Sequence, residues 1–371
     1  MKTVCDWNQC AGCMACLEVC PKQAITIRDS LDAYNAEIDE SLCTHCGACF
    51  RVCQKNQDAV LKTPILWKQG WAENRAAYEN SASGGLGAEL IRSFLANHGK
   101  VCTCRFEDGE FGFNFVPSET DIPQYVGSKY VKSNPAGIYR KIKSCLSAGE
   151  KVLFIGLPCQ VAAVQQFCGQ RLLENLYTVD LICHGTPSPK LLEQCLRENG
   201  YSLKNLRDIQ FRRKNTFLLC LNHHPVFFQR VQDLYTLAFL KGLDYTENCY
   251  SCKYARMERV SDITIGDSWG SELPEEVQKA GLSLVLCQTE KGRHLLDELR
   301  LHLLPVDLQK AAQANTQLRT PTPRPKERQR FYSNLKKSNS FRKSVAMCYP
   351  KESMKQLVKF ILIKGKLLKD K

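Results

Sequence analysis

The chain has 371 residues, 44% of them hydrophobic and 24% charged, which suits a folded protein long enough for more than one domain. No apolar run reaches the roughly 18 residues that a membrane-spanning helix needs. Sixteen of the 51 basic residues but only three of the 38 acidic ones follow position 318, so the net charge of +13 lies in the C-terminal part. A neutral body argues against nucleic-acid binding. The N-terminus has no apolar signal segment, so we expect a cytoplasmic protein.

Eight of the 21 cysteines form two near-copies of one motif. Residues 10–21 read CAGCMACLEVCP and residues 43–54 read CTHCGACFRVCQ, each with the spacing C-x2-C-x2-C-x3-C. Bacterial two-cluster ferredoxins hold two [4Fe–4S] clusters with this spacing, and the fourth cysteine of each run completes the other cluster. The motifs therefore predict two clusters, one on Cys10, Cys13, Cys16 and Cys53 and one on Cys43, Cys46, Cys49 and Cys20.

Zinc and disulfides explain these eight cysteines less well. Zinc sites usually pair two C-x2-C units across a longer loop, and disulfides need an oxidising compartment. Pro21 follows the first motif and Gln54 the second, a difference that removes no ligand. We expect an α+β ferredoxin module over residues 1–62, with short strands at 24–27 and 59–61. The fourth cysteine of each motif is expected to start a helix.

Residues 63–305 alternate apolar runs with amphipathic segments, which indicates an α/β domain with a mixed sheet flanked by helices. Each of three segments is predicted to be a strand followed by a helix: 151–167, 177–196 and 281–299. Shorter strands are predicted at 209–211 and 262–265. These elements predict strand ends that meet at one edge of a sheet, where α/β proteins place their chemistry.

Residues 306–371 are predicted to be a basic tail, made of a turn-rich charged linker and a C-terminal amphipathic helix. In this helix one face carries five apolar side chains, with lysines opposite: Met354, Leu357, Val358, Ile361 and Leu368. Such a helix either lies on an anionic membrane surface or packs on the protein body with its lysines in water. The tail is therefore a candidate for peripheral membrane contact.

Five segments of the body share a pattern with a known family: ASGGLGAEL (82–90), VGSKYVKS (126–133), GLPCQ (156–160), DLICHG (180–185) and CYSCKYARMERVSDITIGDSWG (249–270). Together they resemble the beta-subunit family of coenzyme F420 hydrogenases and dehydrogenases, over essentially residues 1–300. The resemblance implies an iron–sulfur flavoprotein oxidoreductase that moves electrons between the ferredoxin clusters, FAD and an organic substrate. That substrate is a 5-deazaflavin or another small acceptor, and the implied partner is an external ferredoxin or other redox protein.

The resemblance also implies a third [4Fe–4S] cluster, with Cys159, Cys183, Cys249 and Cys252 as its ligands. A four-cysteine zinc site and free buried thiols are both compatible with the same residues. No catalytic residue is predicted. The alternative function is that of a non-catalytic electron-transfer subunit in a larger redox complex.

The α/β domain is implied to be the flavin domain. The turn at Ser83, Gly84 and Gly85 precedes a predicted helix, whose N-terminus can bind the FAD pyrophosphate. Lys129 and Tyr130 are further candidates for FAD contact. A plain helix cap at Ser83 explains the same turn without a cofactor.

Overall fold

A large mixed sheet organises the chain, of which the computed structural model describes residues 2–370. The strands are β1 (Lys2–Thr3), β2 (Ile25–Asp29), β3 (Tyr34–Ile38), β4 (Leu66–Ala72), β5 (Gly99–Glu107), β6 (Glu110–Phe115), β7 (Lys151–Gly156), β8 (Leu176–Leu181), β9 (Ile209–Arg213), β10 (Thr216–Leu221), β11 (His224–Pro225), β12 (Ile263–Asp267), β13 (Ser283–Cys287) and β14 (Leu301–Leu304).

Helices of four to fifteen residues make up most of the remaining regular structure. They are α1 (Ala15–Val19), α2 (Ala48–Val52), α3 (Arg75–Glu79), α4 (Leu86–Asn97), α5 (Ile122–Tyr125, a single turn), α6 (Tyr139–Ser147), α7 (Pro158–Cys168), α8 (Pro189–Arg197), α9 (Leu234–Leu240), α10 (Glu275–Ala280), α11 (Glu290–Asp297), α12 (Leu308–Ala314), α13 (Arg328–Ser338), α14 (Phe341–Cys348) and α15 (Pro350–Lys364).

The large sheet has eight strands in the order β14-β4-β13-β12-β8-β7-β5-β6. The pairs β5–β7, β7–β8 and β8–β12 are parallel, and the remaining pairs are antiparallel. β7 and β13 are apolar and buried along nearly their whole length, as expected for strands covered on both faces. The mixed α/β sheet flanked by helices, predicted from the sequence, is confirmed. Its parallel strands end at one edge, from which the loops carrying Cys159 and Cys183 begin.

The N-terminal part contains a three-stranded sheet in the order β1-β3-β2 and two short helices, one in each cysteine motif. Left-handed residues, Met14 and Gly47, precede the two helices, and Cys20 and Cys53 end them in extended conformation. The expectation that the fourth cysteine starts a helix is therefore wrong. Residues 59–61 form no strand. The partner of β2 is instead β3, a strand with polar residues at alternate positions.

The N-terminal part shares a hydrophobic core with the α/β domain, because side chains of α1 and β2 pack with those of α6, α7 and β7. A buried carboxylate strengthens this junction. Glu18 in α1 accepts hydrogen bonds from the backbone amides of Gly137 (2.8 Å), Tyr139 (3.3 Å) and Arg140 (2.9 Å), at the start of α6. The Tyr139 hydroxyl donates in turn to the Cys13 carbonyl at 2.6 Å. The two parts are therefore joined by specific polar contacts as well as by apolar packing.

The region after residue 305 is not the linker that the sequence predicted. It folds into α12, α13, α14 and α15, and Phe331, Leu335, Phe341 and Val345 are buried in a second core with α8, α9 and the small sheet β11-β10-β9. Their spacing places apolar side chains on one face of each helix, which explains why a charged sequence packs here. The predicted C-terminal helix is α15. Within residues 2–370 no helix is both long and apolar enough to cross a membrane.

Asp244 lies in this second region and is fully buried. Neither of its carboxyl oxygens has a hydrogen-bond partner among the described residues, and burial raises its pKa to about 8. The folded protein therefore keeps a proton that the unfolded chain, with a pKa near 3.8, releases. The free energy of unfolding should fall as the pH rises between these two values.

We predict that Asp244→Asn raises the unfolding temperature more at pH 8 than at pH 5, because asparagine does not ionise in the buried site. Thermal unfolding followed by circular dichroism at both pH values tests this. Asp6→Asn, at an exposed aspartate, is the control and should leave both values unchanged. An equal effect of Asp244→Asn at both pH values would contradict the prediction.

Candidate metal centres

The cysteines predicted to hold the second ferredoxin cluster lie at the protein surface. Cys20, Cys43 and Cys49 are partly exposed, and Cys46 is exposed. Charge on Cys20 and Cys43 adds to burial in raising the pKa of Cys49, so these thiols are neighbours. Backbone amides already point at two of the sulfurs: Ala24 donates to Cys20 Sγ and His45 to Cys43 Sγ, both at 3.4 Å. Amide donors of this kind stabilise the charge of a bound cluster.

The cysteines predicted for the first cluster are buried and line one cavity, which we call the ferredoxin cavity. Cys10, Cys13, Cys16 and Cys53 are among its lining residues. Cys53 belongs to the second motif, so the cavity joins the four sulfurs in the crossed arrangement that the spacing predicts. The Gly12 amide donates to Cys10 Sγ at 3.4 Å. The chemistry and position of these four thiols fit an iron–sulfur cluster.

The four body cysteines line a second cavity, which we call the body cavity. Cys159 lies in the first turn of α7 after β7, Cys183 follows β8, and Cys249 and Cys252 lie in the loop before β12. Burial raises the pKa of Cys159 to about 12, so this thiol stays protonated unless a metal ion lowers its pKa. The structure thus brings together four residues that are up to 93 positions apart in the sequence. Four thiols around one cavity fit a four-cysteine metal site.

A single bound ion and a cubane place different demands on their ligands. Within the described part of the chain, no three cysteine, histidine or carboxylate side chains are close enough together to hold one metal ion. A cubane binds each of its four ligand sulfurs at a different iron atom, so the sulfurs lie further apart than around a single ion. Four thiols that line a cavity therefore fit a cubane better than a single ion.

The two cavities share a wall. Ala11 and Gln54 line both of them. Lys132, which is buried, donates from Nζ to the Ala11 carbonyl at 3.0 Å. Lys253 donates to the Gln54 carbonyl and to the Gln57 carbonyl, the latter at 2.7 Å. Both lysines also line the body cavity, so each holds the shared wall in place and puts positive charge beside it.

Arg259 supplies a third cation to the body cavity. It forms a buried ion pair with Asp180 at 3.0 Å and donates to the carbonyls of Tyr254 (2.7 Å) and Leu181 (3.0 Å). Sequence reasoning missed Arg259, Lys132, Lys253 and Glu18. Lys132 and Lys253 stand in or beside the recognised motifs, but no spacing rule marks a lysine whose partner is a distant backbone carbonyl.

The residues predicted to contact FAD phosphate are packed against the sheet. The Ser83 hydroxyl donates to the Leu282 carbonyl, and the Gly84 amide donates to Ser283 Oγ, both at 2.9 Å. A Cβ on Gly84 would lie 2.4 Å from the Gly70 carbonyl oxygen, and Gly85 has a positive φ of 84°. Close packing therefore explains both glycines without a ligand. Their role in binding FAD stays a prediction.

Lys129 and Tyr130 lie at a different point of the same region. Lys129 Nζ donates to the carbonyls of Val126 and Gly127, and the Tyr130 ring stacks on Phe239 with centroids 4.2 Å apart. Burial raises the pKa of Tyr130, and the nearby positive charge of Arg212 partly offsets this. Lys214, two residues after Arg212, donates from Nζ to the Ser83 carbonyl at 2.9 Å. Arg212 and Lys214 therefore connect Tyr130 with the turn at Ser83, the two parts of the predicted FAD site.

Comparisons with known proteins find matches to two parts of the chain. A model of the C terminus of the coenzyme F420 hydrogenase/dehydrogenase beta subunit matches residues 149–304, and a 4Fe-4S dicluster domain model matches residues 9–57. Residues 149–304, fewer than half of the chain, thus match the model of this beta-subunit family. The resemblance seen in the sequence is therefore confirmed. The family region contains all four body cysteines, and the dicluster region contains all eight motif cysteines.

Among solved structures, the chain is similar to one in the F420-reducing [NiFe] hydrogenase complex from Methanosarcina barkeri, determined as a xenon derivative. The sequences are 17% identical, the match covers 71% of this chain and 91% of the other, and the TM-score is 0.48. No curated protein matches the sequence.

We predict that Cys249→Ala removes about four irons per chain, because the body cavity then lacks one of its four thiols. Metal analysis of anaerobically purified protein measures this. Cys195→Ala, at a buried cysteine in the second core, is the matched control and should retain all the iron. Loss of about one zinc instead would identify a zinc site. Unchanged metal content in Cys249→Ala would contradict a metal centre there.

Proposed function

We propose that the protein is an iron–sulfur flavoprotein oxidoreductase in which electrons move between a redox partner, the ferredoxin-type sites, the body cavity, FAD and an organic substrate. The observation that supports this order is the wall shared by the two cavities, formed by Ala11 and Gln54. Two predicted cluster sites on either side of one such wall are placed for direct electron transfer. When bound, the clusters supply one-electron transfer and FAD supplies two-electron or hydride chemistry.

The partner in this proposal is an external ferredoxin or similar protein that docks beside Cys46. Two large apolar side chains flank the exposed motif: Leu42 is 52% exposed and Phe50 is 55% exposed. Exposed apolar side chains around a small polar centre are typical of a transient protein contact. A cluster on the buried cysteines of the ferredoxin cavity would then exchange electrons with the exposed cluster without contacting water. We also propose that the protein works in the cytoplasm, where its cysteines would stay reduced and available as cluster ligands.

The residues around the body cavity have clear roles in this proposal. Lys132 and Lys253 fix the shared wall and offset negative charge, while Arg259 and Asp180 close the cavity with a buried ion pair. The substrate class that we favour is a 5-deazaflavin or another small organic acceptor, in line with the family. It would be reduced or oxidised near Tyr130 and Arg212, where aromatic rings and a buried guanidinium lie together.

A second candidate function is that of a non-catalytic electron-transfer subunit. One observation favours it: the glycine turn at residues 83–85 is fully explained by packing on β4 and β13. In this case the protein would carry the clusters but bind no flavin, and the partner enzyme would supply the substrate site.

Cofactor analysis separates the two candidates. We expect anaerobically purified protein to contain about twelve irons, a matching amount of sulfide and one FAD per chain, counting four irons per cubane. About eight irons and no flavin would contradict the flavoenzyme and support the electron-transfer subunit. The measurement is elemental analysis for iron and zinc, acid-labile sulfide, and fluorescence of the flavin released by denaturation.

We also propose that α15 makes peripheral contact with an anionic membrane. Its inner side packs on the body: Phe360 lies 5.4 Å from the Phe228 ring, and Gln356 Oε1 accepts from the Gln232 amide at 3.0 Å. Four apolar side chains face outward instead, each about half exposed: Met354, Leu357, Val358 and Ile361.

The apolar face of α15 is bordered by lysines. Lys351, Lys355 and Lys364 are exposed and carry the charge that an anionic lipid surface attracts. Because the inner side of the helix is already in contact with the body, the outward apolar face is free for the bilayer.

We predict that the protein sediments with phosphatidylglycerol vesicles and not with phosphatidylcholine vesicles. The double variant Leu357→Glu/Ile361→Glu should abolish this binding, since it puts charge at the centre of the apolar face. Val60→Glu, at an exposed valine far from α15 in sequence, is the control and should bind normally. Equal sedimentation of wild type and double variant would contradict the membrane contact.

A further inference from the structure

The ferredoxin cavity contains a fifth cysteine that belongs to neither motif. Cys5 precedes the first motif by five positions, is 8% exposed and lines the cavity together with Cys10, Cys13, Cys16 and Cys53. Four thiols complete a [4Fe–4S] cluster, so the fifth is in excess of what the site requires. The motif spacing gives no reason for a cysteine at this position.

The backbone around Cys5 is held in place from both sides. The Val4 amide donates to the Ala36 carbonyl at 2.9 Å, which continues the pairing of β1 with β3. The Asn56 side-chain amide donates to the Val4 carbonyl at 2.7 Å, which ties Cys5 to the loop that follows Cys53. Thr3 Oγ1 donates to the Cys5 carbonyl, also at 2.7 Å. Cys5 is therefore fixed beside the end of the second motif.

Cys5 lies beside two of the predicted ligands. It lines the same cavity as Cys10 and Cys53, and the Asn56 side chain ties its backbone to the loop after Cys53. Cys5 is therefore close to the site at which Cys53 would bind a cluster.

We propose that Cys5 is a reserve ligand of the cluster held in the ferredoxin cavity. The inference rests on the proposed iron–sulfur function of these cysteines and assigns Cys5 a role in it. With all four ligands present, the Cys5 thiol donates a hydrogen bond to a ligand sulfur. When Cys53 is missing, Cys5 Sγ bonds the open iron and releases its thiol proton to solvent, with no change in the oxidation state of iron or sulfide.

The surface site provides a contrast within the same chain. Cys46 is exposed there, and Cys20, Cys43 and Cys49 are partly exposed. None of these four lines the cavity that contains Cys5. Loss of a ligand there should therefore cost its cluster, whereas loss of Cys53 should be compensated.

The test compares metal content across matched variants of the full chain, purified anaerobically. Cys53→Ala should retain the iron of the wild type, and Cys53→Ala/Cys5→Ala should lose about four irons per chain. Cys46→Ala is the control at the surface site and should lose about four irons with Cys5 still present. Cys5→Ala alone should retain all its iron.

A second measurement tests whether the Cys5 thiol donates a hydrogen bond to the cluster when all four ligands are present. Hydrogen bonds to cluster sulfurs raise the reduction potential, so Cys5→Ala should shift the potential of one cluster to a more negative value in a redox titration followed by electron paramagnetic resonance. The second cluster of the dicluster region should keep its potential, because its ligands are in a different set.

Three results would overturn the reserve role. They are loss of about four irons in Cys53→Ala alone, equal iron in Cys53→Ala and the double variant, and loss of about four irons in Cys5→Ala, which would make Cys5 an obligatory ligand. Failure of the proposed function is a separate result, since it would appear in the wild type as missing iron or flavin before any variant is compared.

Discussion

Glu18 is a buried carboxylate that accepts hydrogen bonds from three backbone amides at the start of α6. The first amides of a helix have no partner within the helix and carry partial positive charge, so a carboxylate at this point is both hydrogen-bonded and electrostatically favourable. An ionised carboxylate left without partners in the same place would be strongly destabilising. Glu18 therefore joins two parts of the chain, and the placement of the two cavities on either side of one wall depends on this junction.

At the shared wall, buried or partly buried lysines bind backbone carbonyls, just as Glu18 binds backbone amides. Lys132 and Lys253 are cations placed where four thiolates on each side would hold a negatively charged cluster. Burial lowers the pKa of Lys253, which shows that its position is unfavourable without compensating negative charge. A cation near a cluster stabilises the reduced state, which is the more negative one, and so raises the reduction potential. Because both lysines border the body cavity, they would affect the sites on both sides of the wall.

The sequence was most informative where the ligands are close together in the chain. The spacing of the two motifs predicted which cysteines line the ferredoxin cavity, because a short loop allows few arrangements. This includes Cys53, which the second motif contributes to the site of the first. The set at the body cavity came from the family resemblance, since spacing alone does not relate Cys159 and Cys183 to Cys249, which lies 90 and 66 positions further on. Strands β7, β8, β12 and β13 were predictable because their apolar runs are bounded by turn residues.

The errors have physical causes of their own. The segment 59–61 is apolar and β-branched at Val60, but it has no neighbouring strand, whereas the polar residues Asn35 and Glu37 in β3 are accommodated because β3 lies between β1 and β2. The C-terminal region resembles a linker in sequence because charged residues are frequent in it. Its four core residues, at positions 331, 335, 341 and 345, are too few to form an obvious apolar pattern. Glu18, Lys132 and Lys253 were missed because their partners are backbone groups that no local pattern reveals.

The two motifs show how nearly identical sequences acquire different roles. Between their ligands the first motif has Gly12, Met14 and Ala15, which are buried, while the second has Thr44 and His45, which are exposed with Cys46. Burial depends on α6 and α7, which cover α1 on one side, and not on the cysteine spacing that the motifs share. Solvent exposure and amide hydrogen bonds set the reduction potential of a cluster, so clusters bound at the two sites would differ in potential although their ligands match. The exposed site is accessible to a partner and the buried site adjoins the body cavity, which is the order of the sites along the proposed path.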